Sequence, residues 1–209
     1  MPSQVTIKPK PLKTRAKSPT SGRPRDPQVQ SDILKAANAI LLEEGFRALT
    51  MEGVAARAGV GKTTVYRRWS SLFELVSDIL DEANSAWPMP QNECSSISDD
   101  LRTLYRNWVT GMSGAGKVIP SLIAESVQNA ELAKVLHERF FLPRRRLAIA
   151  RIERAKERNE VASHVDAQTL VDLLMGRMWY RQIVTGDRIR LEDEEKVISI
   201  LLAGVQRAS

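Results

Sequence analysis

The residues best suited to chemistry in this chain are Lys62-Thr63-Thr64-Val65-Tyr66-Arg67-Arg68-Trp69. At helical spacing, Val65 and Trp69 are four apart and share an inward face, which leaves Lys62, Thr63, Thr64, Tyr66, Arg67 and Arg68 on the outer one. That outer face holds cations for phosphate, hydroxyls that reach phosphate or base edges, and an amphipathic phenol, with no acid among them. A merely solvated helix face mixes both signs, so the composition points to nucleic acid.

The same region supports a rival reading. Ala56-Arg57-Ala58-Gly59-Val60-Gly61-Lys62-Thr63 fits a relaxed phosphate-binding loop, and Gly111 to Val118 is a second near match that lacks the hydroxyl a magnesium ion needs. A phosphate-binding loop follows a buried β-strand. Here Thr50 to Ala58 has helical periodicity, with Glu52 and Arg57 inside it, and Leu101 to Met112 is helical as well. No later apolar strand ends in a metal-binding aspartate, and no Ser/His/Asp or paired-carboxylate group stands out. Nucleotide hydrolysis is therefore the alternative, and the expectation is that the protein is not an enzyme. With Cys94 as the single cysteine and only His137 and His164, no metal-ligand cluster forms and no cofactor is expected.

The elements that must position the basic face are legible around it. Asp26-Pro27 starts a first helix carrying Ile33, Leu34, Ala37, Ile40 and Leu41 inward, and Gly45 stops it. Thr50 caps a short second helix with Met51, Val54, Ala55 and Ala58 inward, and Gly59 closes it. A third helix begins after Gly61 and runs through Trp69, so the pair reads as a helix-turn-helix. Ser71-Leu72-Phe73-Glu74 is a capping box that opens a fourth helix to about Ala83. An alternative of a different class is a helical interaction module that has no DNA binding.

The net charge is +6, and the first 27 residues account for all of it, with seven Lys and Arg against Asp26. Six of the ten prolines lie in the same stretch. Residues 1–25 thus read as a disordered basic arm, with Arg23 and Arg25 of Gly22-Arg23-Pro24-Arg25 as its DNA-contacting point; the tetrapeptide is similar to the core of AT-hooks. No apolar run is long enough to span a membrane and no secretion signal is evident, so the expected location is the bacterial cytoplasm.

Leu49 to Val60, followed by Lys62 to Trp69, resembles the tetracycline-repressor (TetR) family over about fifty residues. The resemblance implies phosphate contacts from Thr50, Lys62 and Tyr66, and base contacts from Thr63, Thr64 and Arg67. The chain departs from the family at Ser70-Ser71-Leu72, where Pro-Ser-Lys is usual, so no DNA role is assigned to Leu72. The segment from Asp99 to Gly204 also resembles the C-terminal body of one subgroup, through Arg154 to Glu160 and Tyr180 to Gly186.

The expected division is 1–25 arm, 26–83 DNA-binding head with its linking helix, and 84–209 effector-binding and dimerisation body. The body reads as helical throughout, which makes the fold class all-α. Ser98 is the expected cap of a helix carrying Leu101, Leu104, Tyr105, Trp108 and Met112. A shorter helix from Pro120 turns Leu122, Ile123 and Val127 inward, and a long run from Ala130 to Asn159 breaks or kinks near Pro143. Arg144, Arg145 and Arg146 fan around that helix and are expected to be solvated or ion-paired.

Asp166 caps the next helix. This helix and the last one have apolar residues on more than one side, which predicts a homodimer through Leu170, Leu174, Met178, Ile198, Leu201, Leu202 and Val205. The resemblance agrees, because the family dimerises through its last two long helices. Trp108, Met112, Met175 and Trp179 are candidates to line a small-molecule cavity, with Glu125 to orient a cationic ligand. Together with these features, the resemblance implies a ligand-responsive repressor that binds palindromic operator DNA as a homodimer.

Overall fold

The computed structural model describes residues 27–92 and 94–204, and over these residues the chain is helical with no β-strand. The basic arm with Arg23 and Arg25, the Asp26 cap and Val205 lie outside the described residues.

The head begins with α1 (Pro27–Glu43), where Pro27 sits in the first turn and gives up no needed donor. Ile33, Leu34, Ala37, Ile40 and Leu41 are buried along its inner face. Gly45 adopts φ +84 and turns the chain into a short 3-10 segment, Phe46–Ala48. Thr50 then caps α2 (Met51–Arg57), its Oγ1 accepting from the Gly53 amide at 3.0 Å. A side chain at Gly53 would meet that hydroxyl at 2.9 Å, so the cap and the glycine belong together.

At the far end of α2, Gly59 takes φ +67 and donates to the Ala56 carbonyl at 3.2 Å, while the Val60 amide reaches the Ala55 carbonyl at 3.0 Å. This double closure ends the helix sharply. α3 (Lys62–Tyr66) starts two residues later. It is regular only to Tyr66, and Arg67 and Arg68 form a turn where a helix through Trp69 was expected. Val65 is fully buried and Trp69 nearly so, the Trp69 indole donating to Asp78 Oδ2 at 2.8 Å.

α4 (Leu72–Ala86) links head to body. Ser71 caps it by accepting from the Glu74 amide at 3.2 Å, and the Glu74 carboxylate reaches back to the amide of Ser70 at 2.6 Å, one residue before the capping-box position. The helix continues three residues past Ala83 and ends on Trp87. The segment after it is held from the body: Asn107 donates to the Pro88 carbonyl at 2.9 Å, and Arg151 donates to those of Pro90 and Asn92 at 2.5 and 2.8 Å. The Arg151 guanidinium also pairs with Asp100 at 3.0 Å, both side chains being almost wholly buried, and Asp100 accepts from the Cys94 amide at 3.2 Å.

The body comprises α5 (Ile97–Ser113), α6 (Ile119–Ser126), α7 (Ala130–Leu136), α8 (Leu142–Glu157), α9 (Ala167–Trp179) and α10 (Glu194–Ala203). The cap of α5 is Ser96, accepting from the Asp99 amide at 3.1 Å, and not Ser98. Val127 is 82% exposed instead of inward, because α6 ends at Ser126 and Val127 lies beyond its buried stripe. The run from Ala130 does not break at Pro143. A π-helical turn, His137–Phe141, joins α7 to α8 and puts Pro143 in the first turn of α8, where a missing amide donor costs little.

Trp87 is wedged between α5 and the turn after it. A Cβ on Gly111 would lie 1.8 Å from the Trp87 ring, and one on Gly116 2.7 Å from it, so both positions require glycine. α10 is clamped to α5 by a two-pronged Arg106–Glu194 pair at 2.6 and 2.7 Å and by Arg102–Glu195 at 2.6 Å.

Candidate nucleic-acid interface and effector cavity

Lys62, Thr63, Tyr66 and Arg67 stand exposed on the outer side of α3, with Thr50 exposed at the cap of α2 beside it. Thr64 and Arg68 are half-buried and so only partly present on this face. One feature was not visible in the helix's own sequence. Glu52, on α2, brings a carboxylate to the face, and the Tyr66 hydroxyl donates to its Oε1 at 3.1 Å. The carboxyl of Glu52 is held below its usual range, first by a hydrogen bond from its own backbone amide, then by Tyr66 and by the nearby Lys62 charge. Donating to that carboxylate raises the Tyr66 phenol. The face is therefore basic with one acid at its edge.

The Ala56–Thr63 segment begins inside helix α2 and not after a β-strand, and Gly111–Val118 closes over Trp87, so neither has the setting of a phosphate-binding loop. Among the described residues no group of three or more His, Cys, Asp or Glu is arranged to hold a metal ion, and no helix is long and apolar enough to cross a membrane.

The body holds a half-open cavity of about 550 Å³ walled by Trp108 on α5, Ile123 on α6, Phe141, Arg144 and Arg145 on the π turn and α8, and Met175 and Trp179 on α9. Its aromatic side is ordered: Trp108 and Trp179 meet edge-on with centroids 4.4 Å apart, and Phe141 meets Trp179 at 5.6 Å. Three of the expected cavity residues, Trp108, Met175 and Trp179, thus come together. Two do not. Met112 faces the neighbouring cleft, which it lines with Trp108, Lys117 and Arg188. Glu125 points away toward the head and pairs with Arg47 at 2.9 Å, across the junction between head and body.

Arg144 departs most from expectation. Its side chain is 8% exposed, its guanidinium lies 4.0 Å from the Phe140 ring centroid and 4.6 Å from that of Trp87, and no carboxylate among the described residues pairs with it. Burial alone pushes it down to about 10. It donates to Asn84 Oδ1 and, at 2.9 Å, to the Trp87 carbonyl, so a wall of the cavity grips the last turn of α4. The four-residue spacing of Phe140 and Arg144 was a readable signal for a cation over a ring. Arg145 is ion-paired as expected, with Asp172 at 2.8 Å.

The expected dimer residues divide. Leu170, Leu174, Met178 and Ile198 are buried in the protomer's own core and offer no surface to a partner. The apolar excess of α9 and α10 emerges instead at Leu173, 59% exposed, and Ile200, 66% exposed. These line a groove with Leu201, Arg177 and Lys196, while Leu202 is half-buried.

A capped helix-turn-helix with a basic outer face, carried on a helical body, defines a DNA-binding transcriptional regulator. Family models agree on both halves: "Bacterial regulatory proteins, tetR family" matches residues 33–79, and "Tetracyclin repressor-like, C-terminal domain" matches residues 94–201. The chain is 34% identical over 190 residues, 90% of its own length and 95% of the other protein's, to the uncharacterized HTH-type transcriptional regulator YdeS of Bacillus subtilis. It is 26% identical to the DNA-binding transcriptional repressor TetR of Mycobacteroides abscessus, over 74% of this chain and 82% of that one. Among solved structures, the TetR family transcription regulator SCO0332 superposes with a TM-score of 0.62 at 29% identity, over 86% of this chain and all of that one. The flavonoid-responsive regulator FrrA shares the fold with a TM-score of 0.68 at 20% identity, over 88% of this chain and all of that one. The chain belongs to the TetR family of transcriptional regulators.

Proposed function

We propose that the protein is a ligand-responsive repressor, working in the bacterial cytoplasm as a homodimer on a two-fold symmetric operator. The observation that carries this reading is the grip of Arg144 on Asn84 and Trp87, which joins the wall of an aromatic cavity to the helix leading to the basic face. A molecule in the cavity that favours one position of α4 over another changes the separation of two recognition helices, and with it DNA affinity. Thr50, Lys62 and Tyr66 serve phosphates, and Thr63, Thr64 and Arg67 serve bases, with Arg68 at the edge of the face. The head is 26–83 and the body 84–209, and the arm of residues 1–25 adds cations through Arg23 and Arg25. The dimer forms on the groove of α9 and α10 around Leu173, Ile200, Leu201 and Leu202.

FrrA, whose fold this chain shares, is named for responding to a small molecule, which supports the effector role of the body. The test is a mobility-shift titration of DNA flanking the protein's own gene, repeated with a panel of aromatic compounds. Binding in the nanomolar range that one class of compound relieves supports the reading. Equal affinity for unrelated DNA would overturn it.

A further inference from the structure

The cavity's chemistry is lopsided. Its walls are aromatic and aliphatic, and the charged and titratable groups on them are His137, Arg144, Arg145 and Asp172. Asp172 is occupied by Arg145, which grips both its oxygens at 2.8 and 2.9 Å. That leaves Arg144 as a buried cation with no carboxylate partner among the described residues. A buried charge of this kind is costly unless something pairs with it, and stacking on Phe140 and Trp87 compensates only in part. Two of the wall residues also carry a buried donor that lacks an acceptor, Arg144 Nε and Trp108 Nε1. Both side chains are more than nine-tenths buried, and neither donor is used by the fold. Protein interiors seldom leave such groups unsatisfied, so they mark a place for an acceptor that arrives from outside.

We infer that the effector is an aromatic acid, a flat ring system bearing a carboxylate, with its ring among Trp108, Phe141 and Trp179 and its carboxylate accepting from Arg144. This rests on the effector reading above and names the ligand class. Edge-on rings leave their faces and edges available to a further aromatic ring, and a volume of about 550 Å³ admits two or three fused rings. A carboxylate on Arg144 draws on the same guanidinium that holds Asn84 and the Trp87 carbonyl. The ligand's charge is thereby felt at the end of α4, where a neutral ring of the same shape would be felt only at the walls.

The test compares 2-naphthoate with its neutral isostere 2-naphthamide, by calorimetric titration of the full-length protein and by release of a bound operator fragment. The acid is expected to bind at least about tenfold more tightly than the amide and to release DNA at correspondingly lower concentration. Arg144→Gln is expected to bring the two compounds within about twofold of each other, and Arg144→Lys to keep part of the preference. The wild-type comparison needs no variant, so a folding defect in either one leaves the inference exposed to disproof. Equal or weaker binding of the acid, or no binding of either compound, overturns it. If the amide or another neutral aromatic releases DNA and the acid does not, the ligand class is wrong while the repressor reading stands. If operator DNA is not bound in the first place, it is the repressor reading that fails.

Discussion

The Tyr66 hydroxyl donates to Glu52 Oε1 at 3.1 Å, so the exposed phenol of the recognition helix is held by a carboxylate from the helix before it. On the proposed reading the same hydroxyl serves a phosphate, whose approach the Glu52 carboxylate opposes. Glu52→Gln is therefore expected to strengthen operator binding roughly two- to fivefold at low salt, with the gain shrinking as salt rises. Tyr66→Phe and Lys62→Ala are expected to weaken it by about 1–3 kcal/mol per half-site, without lowering the melting temperature. Fluorescence-anisotropy titrations at two salt concentrations check all three.

The division of α9 and α10 into a core side and an outer side separates two kinds of damage. Leu173→Glu and Ile200→Glu place a charge on the exposed groove and are expected to give folded monomers by sedimentation, with weakened operator binding. Leu174→Glu places it in the protomer's core, where an unpaired carboxylate costs several kcal/mol, and is expected to unfold the chain. A folded dimer from the first two variants would locate the interface elsewhere.

Gly111→Ala tests the wedge at the end of α4. The added methyl would lie 1.8 Å from the Trp87 ring, which must shift and take its hydrogen bond to Asn107 with it. Overpacking of this kind is expected to cost about 1–3 kcal/mol in thermal or denaturant unfolding. Gly59→Ala, by contrast, meets open space and is penalised only for its left-handed φ, by about 1 kcal/mol.

Glu160 supplies a pH-dependent tie. Its carboxylate accepts from Arg158 at 2.6 Å and from the Ile97 amide at 2.5 Å, joining the loop after α8 to the start of α5. The Arg158 partnership is the main cause that holds its carboxyl below the ordinary value of 4.5. A carboxyl lowered on folding contributes stability that is complete above its unfolded value and is lost as pH falls through the folded one. Glu160→Gln is thus expected to lower stability by about 1–2 kcal/mol at pH 7, with the gap to wild type closing below about pH 4. A gap that stays constant down to pH 3 would assign the effect to packing.

What could be read from the sequence was local. Thr50, Gly59, Ser71 and Asp166 mark helix ends because each acts on an amide or a φ within a few residues of itself. Val54, Val65 and Trp69 follow from periodicity, which reports the buried face of a helix packed on one side. Periodicity fails where a helix is apolar on two sides. It showed that α9 had a surplus and could not tell that Leu174 and Met178 face inward while Leu173 faces out. The same limit hid Glu52 from Tyr66, fourteen residues away, and Arg47 from Glu125, seventy-eight away, because such pairs exist only once the helices are packed. Arg144 was misjudged as a solvated cation because only the fold brings Trp87 to it.

The segment after α4 looks, on its prolines, like a joint, yet the carbonyls of Pro88, Pro90 and Asn92 and the amide of Cys94 are all fastened to side chains of the body. At its described residues the covalent connection between the halves is therefore a weld and not a pivot. A protease probing the native protein would find little purchase there, and head and body can swing only by sliding α4, as a stiff lever, against the helices that flank it.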